Sequence, residues 1–363
     1  MVIVRALVFA GGALVVIATF GSAVRTVILP RGIPAKLGRV VFISMRSLFR
    51  LRIGRNASYE RRDRVMAAYA PTSLLMLLVV WISLVLVGYT GMFWGVGSRS
   101  VRQAFTLSGS AILTLEFERP PDIPATVLAF SEAALGLILL AMLITYLPSI
   151  YGAFSRRESA VTALEVRAGS PPSGVEMIER YWVLERIDQL DEVWVRWEDW
   201  FVDLEETHLS FPAVVFFRSP QPDHSWVTAA GAVLDAASLS LAAVDIPRNV
   251  RAEFCIRAGY LALRRVADFF GIPYDPAPKR GDPITIGRIE FNQACERLAA
   301  AGIPLKPSLD EAWLDFAGWR VNYDTVLVAL AGLTIAPYAP WSSDRSLRDW
   351  RPPLLRRRTR ARS

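Results

Sequence analysis

Histidine and cysteine are nearly missing from this chain, with two of each in 363 residues. Cys255 and Cys295 have no metal-ligand spacing and no histidine beside them. They read as two reduced core thiols, which argues against a disulfide framework and a zinc site. The histidines, His208 and His224, are too few for an imidazole-rich centre. Asp223-His224-Ser225 is a suggestive triplet, but neighbours in sequence do not make a triad; geometry does. There is no glycine-rich phosphate loop and no nucleophile elbow. The chain is therefore expected not to be an enzyme and to need no cofactor. No RNA- or DNA-binding motif accompanies its basic residues, so no nucleic-acid partner is expected.

Charge is also scarce. Only 21% of residues are charged and 53% are hydrophobic, against about 25% and 45–50% in soluble domains. The excess lies in the first 151 residues, which points to a membrane part followed by a polar part. No internal repeat is present.

Three apolar runs are long enough to span, at about 20 residues each. The first covers Ala6 to Phe20 and reaches Leu29 if Arg25 snorkels. Arg5, the Ala6–Phe20 run and Gly21-Ser22-Ala23 also fit a secretory signal. The next stretch favours a span: ten basic residues lie between Arg31 and Arg64, opposed only by Glu60 and Asp63. A short loop this basic belongs on the cytoplasmic side. Within it, Gly38 to Leu51 places Arg39, Arg46 and Arg50 on one helical face. It reads either as an amphipathic helix on anionic lipid or as a solvated linker helix.

The second span runs from Pro71 to Val96, with Tyr89, Phe93 and Trp94 where an outer aromatic belt would sit. The segment from Gly97 to Ile123 is charge-balanced and belongs outside. The third span runs from Ile123 to about Tyr151 and ends inside at Arg156-Arg157. The expectation is an all-α, multi-pass protein of the cell membrane, N-terminus outside and C-terminus cytoplasmic. Its parts are a first span over 1–30, a basic linker over 31–70, a pore domain over 71–157, a cytoplasmic helical domain over 158–338 and a basic disordered tail over 339–363. Anionic lipids would meet the basic loop and tail.

In the helical domain, Val175 to His208 reads as one long amphipathic stretch, with Trp182, Trp194, Trp197, Trp200 and Phe201 as core or subunit contact. Phe211–Phe217 reads as a strand or buried turn. Trp226 to Val244 is apolar enough to be weighed as a fourth span, but Asp235 at its centre would be costly in lipid. Helices are expected over Arg248–Phe270, Ile284–Ala301 and Ser308–Ala331, the last opened by a capping box at Ser308 and Glu311.

Between the second and third spans, Arg102 to Leu113 is a short helix of small and hydroxylated residues, followed by Thr114-Leu115-Glu116-Phe117-Glu118. A half-length helix with irregular backbone after it, between two spans, is the layout of a pore loop. The plan resembles the two-transmembrane potassium channel superfamily over about Pro71 to Arg157. That family's filter reads T-V-G-Y-G, which Thr114, Leu115 and Phe117 echo, and Gly136 lies where its inner helices carry a hinge glycine. The resemblance implies a homotetramer with these five residues lining an ion pathway.

Both filter glycines are replaced here, by Glu116 and Glu118. Residues with side chains do not readily adopt the filter's backbone angles. Carboxylate rings that hold monovalent or divalent cations with low selectivity are the reading that follows. A loop that has lost conduction is the alternative. Glu132 lies on the same helical face as Gly136. It is either a functional intramembrane carboxylate or a brace to Ser108 or Ser110.

Overall fold

A computed structural model describes residues 1–29, 36–53, 58–115 and 117–346. They form thirteen α-helices among the described residues: α1 (Val2–Val27), α2 (Lys36–Arg52), α3 (Tyr59–Ala67), α4 (Tyr69–Val96), α5 (Val101–Ile112), α6 (Ile123–Ala168), α7 (Gly174–Val183), α8 (Leu190–Ser210), α9 (Trp226–Ala242), α10 (Val250–Phe270), α11 (Arg288–Ala300), α12 (Leu309–Arg320) and α13 (Asp324–Thr334). The described residues contain no strand, only a single bridge between Val244 and Leu305. Among the described residues the protein is all-helical. α1, α4 and α6 are long and apolar enough to cross a membrane, as their runs of apolar residues require.

Two compact units divide the chain: Met1–Gly54 with Ala68–Gly152, and Arg55–Ala67 with Ala153–Ser363. In the first, α1 and α4 pack antiparallel through glycines. A Cβ on Gly88 would lie 2.7 Å from Val16 Cγ2 and 2.9 Å from Gly12 O; one on Gly95 would meet Phe9 and Arg5 O. Small residues are what let two apolar helices close on each other without a hydrophobic drive from water. Near one end, Arg5 lies over the Trp94 ring at 5.6 Å.

α2 does not simply lay its apolar face outward. Val41, Met45 and Phe49 are buried, and Phe49 meets Tyr69 of α4 edge-on at 5.9 Å. The Tyr69 hydroxyl donates to Phe42 O at 3.0 Å. Arg46, expected on an outward face, is buried. Val40, Leu48 and Leu51 are the exposed apolar side chains of this helix.

The second unit is built around α9, which is buried on nearly every face and packs against α7, α10, α12 and α13. Asp235 in its centre is matched within protein. Arg320 donates to it, as does Tyr323 OH at 2.9 Å. Arg320 Nε also donates to Asp324 Oδ1 at 2.8 Å, and Thr285 donates to both Asp324 oxygens at 2.8 Å. Burial raises the Asp235 carboxyl, while its contact with Arg320 pulls it back. Burial alone would lower Arg320, but Asp235 and Asp324 together hold it above its ordinary value. Two carboxylates thus share one buried guanidinium.

Several expected boundaries move. α6 does not stop near Tyr151 but continues to Ala168. The 175–208 stretch breaks into α7 and α8, and 308–331 into α12 and α13. Phe211–Phe217 holds a 3-10 turn over Pro212–Phe216, so the strand alternative fails. The tail is ordered at its start: Trp341 O accepts from Arg320, and Arg345 donates to Glu290 Oε1 at 2.8 Å. That contact, first among several, lowers the Glu290 carboxyl. The rest of the expected tail, 347–363, lies outside the described residues, as do residue 30 of the expected first span and 31–35 and 54–57 of the basic linker.

Candidate functional site

The site is built on α5, a twelve-residue helix between α4 and α6. Its start is set locally. Ser100 Oγ accepts from Gln103 N at 3.1 Å, and Gln103 Oε1 accepts from Arg99 N at 3.1 Å. This exchange satisfies donors that a helix N-terminus leaves open. Its buried side is Ala104, Leu107, Ser108, Ser110 and Ile112.

Ser108 joins α5 to both neighbours. Its hydroxyl lies 2.6 Å from Glu132 Oε1 and 3.1 Å from Leu86 O. With one hydrogen to share, the shorter contact to the carboxyl is the stronger. Glu132 is fully buried, and its Oε2 has no hydrogen-bond partner among the described residues. Of the two serines expected as bracing partners, Ser108 makes the contact. Ser110 instead accepts the Glu118 N–H on its Oγ at 3.2 Å.

Gly136 sits where α6 crosses the end of α5. A Cβ there would lie 2.8 Å from Ile112 O, so the close approach gives glycine a reason of its own, besides any hinge. Pro148, which sequence reading passed over, also lies inside α6 and removes one helical hydrogen bond.

Thr114 ends α5. Its φ is +53°, a left-handed conformation that is unusual for a β-branched residue. Thr114 N–H donates to Ala111 O at 3.1 Å and Leu115 N–H to Ser110 O at 2.9 Å. This is the paired closure of a Schellman stop. Leu113, Leu115 and Phe117 follow as exposed apolar side chains, and Glu118 is half-buried. Glu116 lies outside the described residues. The next helix begins with Asp122, whose Oδ1 accepts from Ala125 N at 2.9 Å.

A second polar cluster, invisible in sequence, surrounds Arg157. Arg157, read in the sequence as marking the inner end of the third span, is 1% exposed. Its guanidinium holds Glu158 Oε1 at 2.7 Å, Val214 O at 2.8 Å and Phe217 O at 2.7 Å, and lies 3.3 Å from His208 Nε2. A guanidinium only donates, so Nε2 accepts and the imidazole proton sits on Nδ1, facing Thr207 Oγ1 at 3.2 Å. Burial, then the charge of Arg157, pushes His208 well below its ordinary value. His224 meets Glu165 at 3.3 Å, and Asp223 accepts from Ser170 at 2.6 Å. That hydrogen bond lowers the Asp223 carboxyl. Both cysteines are buried, and burial raises the Cys295 thiol to about 11.

No protein-family model, curated protein or solved structure matches the chain.

Proposed function

We propose that this chain is a subunit of a channel-like membrane protein, with α5 as a pore helix and 113–122 as the re-entrant loop after it. The observation that carries this reading is the seating of α5. A helix too short to span is fixed between two long apolar ones by Ser108 and Glu132, with irregular backbone after it. Such backbone is tolerated at membrane depth only where protein or a water-filled cavity covers it. Leu113, Leu115 and Phe117, exposed in the single chain, would be covered by further copies, a tetramer by the resemblance. The charge asymmetry of the loops supports an N-terminus outside, a second unit in the cytoplasm and anionic lipids at the basic linker and tail.

Any current would be cationic, carried past Glu116 and Glu118, and poorly selective between potassium and sodium. Planar-bilayer recording of the purified protein tests this, beside Glu116→Gln and Glu118→Gln. The expected result is a cation current that both variants reduce. Absence of current in every cation would sink the channel reading, and a reversal potential at the potassium value in mixed salts would refute the low selectivity.

A second reading, a non-conducting scaffold subunit, is favoured by Thr114. The residue that matches the filter threonine is bent into a helix stop, so its amide serves α5. The same recordings separate the two.

A further inference from the structure

Two uncovered patches of the second unit both carry exposed aliphatic side chains and oppose each other in charge. One is a cleft of 520 Å³ between the end of α6, α7 and the turn leading to α8. Val166, Val183 and Leu184 line it and are 76%, 72% and 68% exposed. Single exposed aliphatics need no explanation, but a cluster around a concavity marks a contact site. Arg167, Arg180 and Arg186 edge this cleft; Arg180 is paired with Glu176 at 2.5 Å, while the Arg167 and Arg186 side chains are described with uncharged partners. The lining carboxylate, Glu179, is held two-point by Arg297 at 2.7 and 2.5 Å, so the cleft presents positive charge.

The other patch is the outer face of α8. Glu192, Val195, Asp199, Val202 and Glu206 recur every three or four residues and are all exposed. That spacing makes one continuous stripe, and Val195 and Val202 are 40% and 62% exposed. The opposite face of α8, with Trp194, Trp197 and Phe201, is buried in the core. Arg196 borders the stripe, and Asp203 beside it is paired with Arg156 at 3.1 Å.

The stretches 347–363 and 30–35 carry more arginine than acid, the same sign as the cleft, and do not complement it. The α8 stripe does, with aliphatic side chains to meet aliphatic walls and carboxylates to meet the guanidinium groups of Arg167 and Arg186. We propose that the cleft of one copy receives the α8 stripe of a second copy, joining second units into the oligomer. The inference builds on the oligomeric part of the channel reading, but its test does not depend on conduction.

The full-length protein is co-expressed in membranes as two single variants with different tags, Leu184→Cys on one and Val202→Cys on the other. Membranes are treated with a short bismaleimide; the native thiols are buried and stay silent. The expected product is a covalent dimer carrying both tags. Adding Arg186→Glu to the first variant should cut its yield about tenfold, since like charges repel across a contact, and adding Glu206→Arg, four residues from Val202 on the same stripe, to the second should restore it. Arg186 is chosen because its side chain donates only to the neighbouring Glu185 carbonyl among the contacts described, so folding is spared. No mixed dimer, or a dimer formed by either variant alone, would overturn the proposal. Conductance without mixed dimers would remove this interface and leave the channel reading intact; mixed dimers without conductance would do the reverse.

Discussion

Ser108 on α5 donates a 2.6 Å hydrogen bond to Glu132 on α6, while the second oxygen of that buried carboxyl has no partner among the described residues. A short helix between two long ones gains a fixed seat from this contact. The half-satisfied carboxyl is also the least comfortable polar group beside α5, because unmet buried acceptors carry their full desolvation cost.

Ser108→Ala should therefore destabilise the protein by about 1–3 kcal/mol, the cost of an orphaned buried acceptor. Adding Glu132→Leu should recover most of that, since removing both partners leaves an apolar contact. Thermal denaturation in detergent reads both. If Ser108→Ala is as stable as the parent, the contact does not seat α5.

The α1–α4 contact sets up a comparison between glycines. Gly88→Leu must force Val16 and the Gly12 carbonyl away, and overpacking of this kind costs about 1–3 kcal/mol or more. Gly21→Leu, on α1 with nothing within 4 Å of its position, should be tolerated. Size-exclusion profiles and melting points of the two variants check this; equal behaviour would show that the helices do not meet here.

What sequence reading could reach depended on whether the signal was local. Ala6–Phe20 and Pro71–Val96 announce themselves by run length, and Ser308 with Glu311 announces a helix start, as the 3.3 Å bond from Glu311 N to Ser308 Oγ bears out. The pairing of Asp235 with Arg320 spans 85 residues and leaves no periodic trace. Arg157 misled for the same reason. Following an apolar run, an arginine looks like an interfacial charge, and only the distant carbonyls of Val214 and Phe217 reveal it as buried. The breaks at 184–189 and 321–323 lack proline, so nothing in the periodicity marked them. At the site, Ser108 and Glu132 were legible because a carboxylate in an apolar helix demands a polar neighbour; the left-handed turn at Thr114 was not, since threonine is a poor candidate for it.

His208 should make stability depend on pH. Its native value lies well below the ordinary 6.5, so above pH 6.5 both native and unfolded chains carry it neutral. As pH falls below 6.5, the unfolded chain takes up a proton that the native site refuses. Stability then falls, by up to about 1.4 kcal/mol per pH unit. Melting points of the parent at pH 7.5 and 5.5, compared with His208→Gln, test this. The parent should lose more than the variant, and identical losses would remove His208 as the cause.

The Asp235 cluster yields the sharpest stability test. Asp235→Ala leaves Arg320 buried with Asp324 alone beside it, and breaking a buried ion cluster in this way costs about 3–5 kcal/mol. Arg320 also donates to Trp341 O and Nε to Asp324, so the damage should extend to the docked 339–346 segment and not only to α9. Asp235→Asn keeps an oxygen for Tyr323 and Arg320 and should cost less than the alanine. Chemical denaturation gives the ranking, and protease cleavage near Trp341 gives the reach. If Asp235→Ala unfolds at the parent's midpoint, the carboxylate is not what holds α9, α12 and the 339–346 segment together.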